Sequence, residues 1–530
     1  MNKLLVSTAL ALTLASTLAT QAAAQDDGLT VIWAEDRSSA ALLDPRITQS
    51  RHEIQAIIQM FDTLIAADGD GNLYPGLATD WEIADDFQAI SLTLRDDVTF
   101  HDGTPFNAEA VQFTFDTIAD PETGSQGAID YLGPYDHTEV ISDTELVVHF
   151  TRPYPPIEQA LSEVYLAPVS PTAVQDMGNT EFARAPVGTG PFQFVEWSPG
   201  EQIVMERFDD YNWAPEFYEN TGPSQVDRVV YRFIANAATR VAALEAGEVT
   251  MVDLTPPLDL RRLGDSDDFE AIAGTVSGLP FSMMFNTSQW PLDDVAVRQA
   301  IIMSVDRDTL TENLFFGLSE PAYGVLSSAT PSYWAGVEAY YPYDPEGAAS
   351  LLTEAGWDRG DDGIWEKDGE DLSVHYVSLL EPDTGVALQA ALRDNGIVLD
   401  VENVTKARQD ELIMANEYDM GAIRWVSNSP AVLSIPFSSN NIPSPGNFKF
   451  NWMHIASEEL DQMLADATSA TSADEQDRLY AELQEWIMDR ALFWAIHDQT
   501  QMIAYDSDIT GVQFAPGRWQ VRFYDIRPAG

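Results

Sequence analysis

The chain has 530 residues, 45% of them hydrophobic, with no cysteine and a formal net charge of −58. The lack of cysteine excludes disulfides, thiolate metal sites, thiol nucleophiles and a lipid anchor on an N-terminal cysteine. The charge, 85 acidic against 27 basic side chains, excludes a nucleic-acid partner, which it would repel.

Lys3 precedes an uncharged apolar-rich run, Leu4 to Leu18, and Ala22-Ala23-Ala24 offers a small-x-small cleavage pattern. Residues 1–24 are therefore expected to be an export signal, cleaved near Ala24, with the mature chain in the periplasm. No later window approaches the ~20 apolar residues that crossing a bilayer requires. The roughly 500 residues that remain exceed the ~250 to 300 at which one core stops growing, so two or three domains are expected. The acidic residues are spread along the chain, as on a solvated surface suited to salty surroundings.

Leu29 to Ala34 reads as a first buried strand. Ile54, Ile57, Ile58, Phe61 and Leu64 then recur at helical spacing, predicting a helix over His52 to Ile65. Asp68-Gly69-Asp70-Gly71-Asn72 opens like a calcium loop but has Leu73 at position six and Thr79 at position twelve, so it is a tight turn. Trp81 to His101 alternates as two strands, and Asn107 caps a helix carrying Val111, Phe115 and Ile118. His101, just before Asp102-Gly103, belongs to a hydrogen-bonded turn rather than to catalysis. Gly188-Thr189-Gly190 lacks a third glycine and a following helix, so it marks a tight crossing between strands or domains and not a phosphate cradle.

Strands follow at Phe192–Trp197, Gln202–Arg207 and Val226–Phe233, and a helix at Ala237–Ala246 closed by Gly247. Phe281–Asn286 is a strand, and Asp294 caps a helix. Asp344-Pro345 opens another helix, which ends at Gly356. Asp358–Val377 reads as a hairpin, Gly385–Asp394 as a helix and Ile397–Val401 as a strand. Ile423 to Pro430 then ends an apolar run with one aromatic plate, Trp425, and three short hydrogen-bonding side chains. Taken alone it reads as a strand end turning into a surface loop. Two amphipathic helices follow, around Leu460–Ala467 and Leu479–Ile487, the second with Ser472 and Glu475 as a capping box. Phe493–Ala504 is a last apolar strand-like run. Mixed strands and helices without an internal repeat give an α/β class with several domains.

The seven histidines (His52, His101, His137, His149, His375, His454 and His497) show no helical or finger-type metal spacing. There is no Gly-x-Ser-x-Gly elbow and no P-loop. No cofactor is expected. Among so many acidic residues a carboxylate pair at any spacing arises by chance, so a hydrolase has no positive support. Binding is favoured over turnover, and no enzyme activity is expected.

Several stretches together resemble the peptide/nickel family of ABC-transporter solute-binding proteins, which includes dipeptide- and oligopeptide-binding proteins. They are Leu43-Asp44-Pro45; Tyr74-Pro75-Gly76-Leu77-Ala78-Thr79-Asp80-Trp81; Leu94-Arg95-Asp96-Asp97-Val98-Thr99-Phe100-His101-Asp102-Gly103-Thr104-Pro105-Phe106; Pro186 to Phe192; and Phe285-Asn286 through Val297-Arg298-Gln299-Ala300-Ile301 to Asp306-Arg307. The resemblance implies a three-lobed, hinged periplasmic binding protein fold of α/β class. Lobe I would join 25–68, 184–270 and 490–530; lobe II would be inserted at 69–183; lobe III would span 271–489. Ligand would lie between lobes I and III, and the closed form, a monomer, would dock on a membrane permease.

In this frame Ile423 to Pro430 becomes the ligand wall. Trp425 stands where the family carries its ligand-contacting Trp, and Asn428 where peptide binders carry an Asp for the α-amino group. Glu381-Pro382 falls where dipeptide binders have an Arg for the carboxylate. The implied ligand residues are Trp425, Asn428, Ser427, Glu381 and Arg424. A hydrogen bond to a charged group contributes roughly 1.5 to 3 kcal/mol and stripping a buried charge of its partner costs about 3 to 5, so a free dipeptide zwitterion is not the expected ligand. The expected solute is peptide-like or oligosaccharide-like. An exported hydrolase and a metal-chelate receptor are the alternatives.

Overall fold

The computed structural model describes residues 28–36, 42–48, 50–125 and 127–530. The export signal lies outside the described residues. Among these, no helix is long and apolar enough to cross a membrane.

Three main sheets organise the chain; the four-stranded sheet packs on one apolar core, and the seven- and five-stranded sheets each carry apolar clusters on both faces. The first has seven strands, in the order Phe269–Thr275, Thr500–Asp506, Met251–Val252, Leu29–Glu35, Val226–Phe233, Gln202–Arg207 and Phe192–Ser198. Leu29–Glu35 runs parallel to Val226–Phe233, with Val31 opposite Val229 and Trp33 opposite Tyr231, all four fully buried or nearly so. A second, four-stranded antiparallel sheet orders Ala78–Ile83, Ala89–Leu94, Glu145–Phe150 and Tyr135–Val140. Its alternating Leu146, Val148 and Phe150 face inward with Phe115 and Ile118 of the helix Ala108–Ala119, the period-2 and period-3.6 patterns meeting in one core.

The third sheet orders Val398–Asn403, Ser373–Ser378, Met420–Val426, Gly278–Phe285 and Phe493–His497. Every residue of Gly278–Phe285 is buried, as a strand covered on both faces must be. Gly278, at φ 122°, allows this strand to close on its neighbour, because a Cβ there would lie 2.1 Å from the carbonyl oxygen of Trp425.

Most expected caps are formed. Asn107 Oδ1 accepts from the Ala110 N–H at 3.0 Å, Asp344 Oδ1 from Gly347 at 2.9 Å, and Ser472 Oγ from Glu475 at 3.4 Å. His101 sits in the expected turn: its backbone N–H donates to Gly188 O at 2.9 Å, and its ring bridges Gly190 O and the Gly188 N–H. Burial pushes the imidazole down to about 4, so it is neutral at neutral pH. The two glycines have steric work there. A Cβ on Gly188 would lie 2.1 Å from Met60 O, and one on Gly190 2.5 Å from Met60 C.

Three expectations are corrected. The first helix is Arg51–Met60, shorter than the apolar stripe, because the Met60 carbonyl is taken by the Gly190 N–H at 2.9 Å; Leu64 and Ile65 go to the second core instead. The 358–377 hairpin is a small sheet of Asp358–Arg359, Trp365–Lys367 and Glu370–Asp371, and Ser373–Ser378 joins the five-stranded sheet. The apolar run from Phe493 is two strands in two different sheets, divided at Asp498-Gln499.

Candidate functional site

Between the sheets lies a cavity of about 420 Å³, within the size range of small-molecule sites. Segments far apart in sequence wall it. The end of the first helix contributes Ile54, Ile58, Phe61 and Asp62. The turn before Pro171 contributes Glu163 and Tyr165, and a loop contributes Trp213, Phe217 and Tyr218. The strand Met420–Val426 runs out into it as Arg424 to Asn428, and the C-terminal segment adds Trp519 and Arg522.

Register fixes the Trp425 wall. Leu279 pairs with Trp425 and Gly278 with Val426, while Gln499 Nε2 donates to Leu279 O at 2.8 Å and Trp425 O at 3.1 Å. A buried amide at the passage between two sheets thus holds the backbone of the aromatic plate. The indole itself is half-buried and meets Phe450 edge-on at 5.2 Å. Asn428 abuts the Asp68–Asn72 turn: Gly71 has φ 85°, and a Cβ there would lie 3.0 Å from Asn428 Nδ2. The Ser427 hydroxyl closes its own loop, accepting from the Ser429 N–H at 3.1 Å.

Of the five residues singled out in the sequence, Arg424, Trp425, Ser427 and Asn428 line the cavity. Glu381 is not among the lining residues. It stands behind Arg424, accepting from Arg424 Nη1 at 3.0 Å and pairing with His497 Nε2 at 2.8 Å. Burial pushes its carboxyl up, but His497 and then Arg424 pull harder, and it ends below its usual range. Glu381 therefore does not oppose a solute carboxylate, and of the two residues expected to disfavour a dipeptide only Asn428 faces the cavity.

Sequence reasoning missed Asp62, Glu163 and Arg522. Asp62 accepts from Trp213 Nε1 at 2.9 Å, Tyr211 Oη at 3.2 Å and Thr189 Oγ1 at 3.2 Å; burial nonetheless raises it to about 6. Burial raises Glu163 to about 7, against the pull of Arg522. Arg522 donates from Nη1 to Ala67 O at 2.8 Å, and its guanidinium lies 5.2 Å from the Phe217 ring centroid. No local signal marks these residues, since each is assembled from a different part of the chain.

Among the described residues, no histidine lines the cavity. Folding brings Glu35, His52 and Asp253 together elsewhere, with potential ligand atoms within 4.8 Å of one another, although nothing in their sequence spacing announces it.

With this geometry established, comparison with known proteins is informative. A glutathione-binding protein from Shigella flexneri is 26% identical over 476 residues, 87% of this chain and 88% of the relative. One from Pectobacterium atrosepticum is 25% identical over 486 residues, 90% of each. Among solved structures, NikA from Brucella suis in complex with Fe(III)-EDTA superposes with TM-score 0.84 at 23% identity, covering 94% of this chain and 100% of that one. DppA from Helicobacter pylori in complex with peptide STSA gives TM-score 0.77 at 22% identity, covering 94% and 98%. These superpositions bear out the three-lobed α/β binding protein fold. The sequence profile of the bacterial extracellular solute-binding proteins, family 5 (middle region), matches residues 72–442, and the chain belongs to that family.

Proposed function

We propose that the chain is the extracytoplasmic receptor of an ABC importer and that the cavity walled by Trp425 and Arg522 encloses a peptide-like solute. The observation that carries this reading is the cavity itself: about 420 Å³, with aromatic plates from separate segments and charged groups of both signs on its walls. Relatives named for glutathione and a neighbour solved with a peptide support the solute class. Solute contacts made only when the walls approach favour the closed form, which is the form a permease would read. The chain acts as a monomer in the periplasm and transforms nothing.

The lobe division belongs to this proposal, with one change. Phe493–His497 pairs with Gly278–Phe285, so the second crossing is placed at 498–499 rather than near 490, and Gln499 becomes a hinge residue that also holds Trp425.

A sugar-like solute is the second reading, favoured by the Trp425 and Trp519 plates beside Asn428 and Gln520. A thermal-shift screen of the mature protein against peptides, neutral oligosaccharides and metal chelates separates the readings, because saturation at a hundred times Kd adds roughly 2.7 kcal/mol of apparent stability. Peptides should raise the midpoint. Mass spectrometry of the same mixtures should find the peptide intact, and a cleaved product would turn the reading toward a hydrolase.

A further inference from the structure

At the end of the first strand, folding brings two carboxylates and an imidazole to one point. Glu35 closes the strand Leu29–Glu35, His52 stands in the first turn of the helix Arg51–Met60, and Asp253 follows the strand Met251–Val252. All three are buried, with one ligand atom of each within 4.8 Å of the others, and none of them lines the cavity. Glu35 Oε2 lies 3.6 Å from His52 Nδ1, and Asp36 Oδ1 lies 3.7 Å from His52 Nε2. Both separations are too long for hydrogen bonds. The first matches the ~3.3 to 3.6 Å between two ligands of a tetrahedral ion held at ~2.0 to 2.2 Å. The carboxylates are also oriented from behind, as metal-ligating carboxylates are. Trp33 Nε1 donates to Glu35 Oε2 at 3.3 Å, while Asp253 Oδ1 accepts from the Leu254 N–H at 2.8 Å and from Gln501 Nε2 at 2.9 Å.

Gln501 supplies a second, independent observation. It is 1% exposed, and Nε2 fixes its amide on Asp253 and on Trp519 O, yet its Oε1 has no hydrogen-bond donor. The buried Oδ1 of Asp36 also has none. An enclosed acceptor without a donor is costly, and a cation supplies what both oxygens lack. Arg240, whose charge faces Asp36, Asp253 and Glu35, is directed instead at the carbonyls of Ile234, Ala235, Asp253 and Leu254. Three carboxylates against this one guanidinium, with a neutral imidazole, leave a surplus of negative charge that a divalent cation balances.

We propose that Glu35, His52 and Asp253 bind a divalent transition-metal ion of the zinc class, with the Gln501 amide completing the donor set. An imidazole among carboxylates suits such an ion better than calcium or magnesium, which take oxygen ligands. The site goes beyond the receptor reading and does not depend on it: the ion is resident beside the seven-stranded sheet and is not a chelate carried as solute. It would tie the first helix, whose Ile54, Ile58 and Phe61 wall the cavity, to the strand that leaves the crossing at Gln499.

The test titrates the EDTA-stripped mature protein with zinc chloride against a chromogenic zinc chelator, for wild type, His52→Gln, Asp253→Asn and His137→Gln. The last variant controls for a surface site at the stacked His137 and His149 rings, 4.5 Å apart. Wild type and His137→Gln should take up one zinc per chain. His52→Gln and Asp253→Asn should bind it on the order of a hundredfold more weakly or worse, since even outer-shell partners are worth tenfold to a hundredfold. X-ray absorption at the zinc edge of the wild type, which needs no variant to fold, should show one imidazole among oxygen ligands. No zinc uptake by the wild type, uptake that survives either His52→Gln or Asp253→Asn, uptake lost in His137→Gln, a zinc edge without imidazole, or displacement of zinc by equimolar calcium or magnesium would each overturn the proposal. Peptide calorimetry on the same metal-free protein judges the receptor reading separately.

Discussion

Arg424 Nη1 lies 3.0 Å from Glu381 Oε1, and the other oxygen of that carboxylate holds His497 Nε2 at 2.8 Å. Glu381 stands at the N-cap position of the helix Pro382–Asp394 in a left-handed backbone conformation, φ 45°, with its carboxylate turned to these partners and not to the helix N–H groups. One carboxylate therefore joins the cavity wall to the strand that leads into the crossing. Glu381→Gln should cost about 1 to 3 kcal/mol in urea unfolding, below the ~3 to 5 of a fully buried pair because Arg424 is one-third exposed. Since this carboxyl lies below its usual range, the stability it contributes is present above the unfolded value and is lost as pH falls through the lower folded one. The variant should lose less stability than wild type on acidification, and parallel curves would contradict the pairing.

Glu163 gives the opposite sign. Its carboxyl is raised from 4.5 to about 7, so the folded protein holds a proton that the unfolded chain has released, and stability falls as pH rises between those values. The groups facing it are Arg522, which pulls it down, and the Tyr131 and Tyr165 hydroxyls, with Glu53 beyond Tyr165 and Asp130 beyond Tyr131. The unliganded Glu163→Gln protein should therefore gain on wild type in thermal midpoint from pH 4.5 to about pH 8. A difference that does not change with pH would contradict the assignment.

Gly188→Ala should be costly for a steric reason alone. The new Cβ would lie 2.1 Å from Met60 O and 2.7 Å from the Phe61 ring, and the Met60 carbonyl, being backbone, has no flexible end to yield. Overpacking of this kind costs about 1 to 3 kcal/mol or more. Urea unfolding should show it, and a neutral effect would mean that the 185–192 loop does not rest on the first helix.

Trp425→Ala addresses the wall directly. The indole is only half-buried, so the unliganded midpoint should shift by a few degrees at most, while solute affinity should fall by roughly thirtyfold, as for a central aromatic contact of about 2 kcal/mol. Unchanged affinity would return Trp425 to a packing role against Phe450.

Much of the fold was legible because the signals are local. The strand Val226–Phe233, the Asn107 and Asp344 caps and the 188–190 crossing follow from spacing over a few residues. The splitting of the run after Phe493 was not legible, because apolar periodicity says nothing about which sheet a strand joins. The site divides the same way. Trp425 and Asn428 sit in one segment that the family resemblance marks, whereas Glu163 is one of 85 acidic residues and gains meaning only when folding buries it within reach of the Arg522 charge. Glu381 was misplaced because its partners, His497 and Arg424, are 116 and 43 positions away.

The most direct test of the central claim is calorimetric titration of the mature protein at neutral pH with free-ended di- to tetrapeptides and, in parallel, with neutral oligosaccharides. The cavity described here predicts saturable one-to-one binding of a peptide and no heat from the sugars; tight binding of a neutral sugar with no peptide response would contradict it.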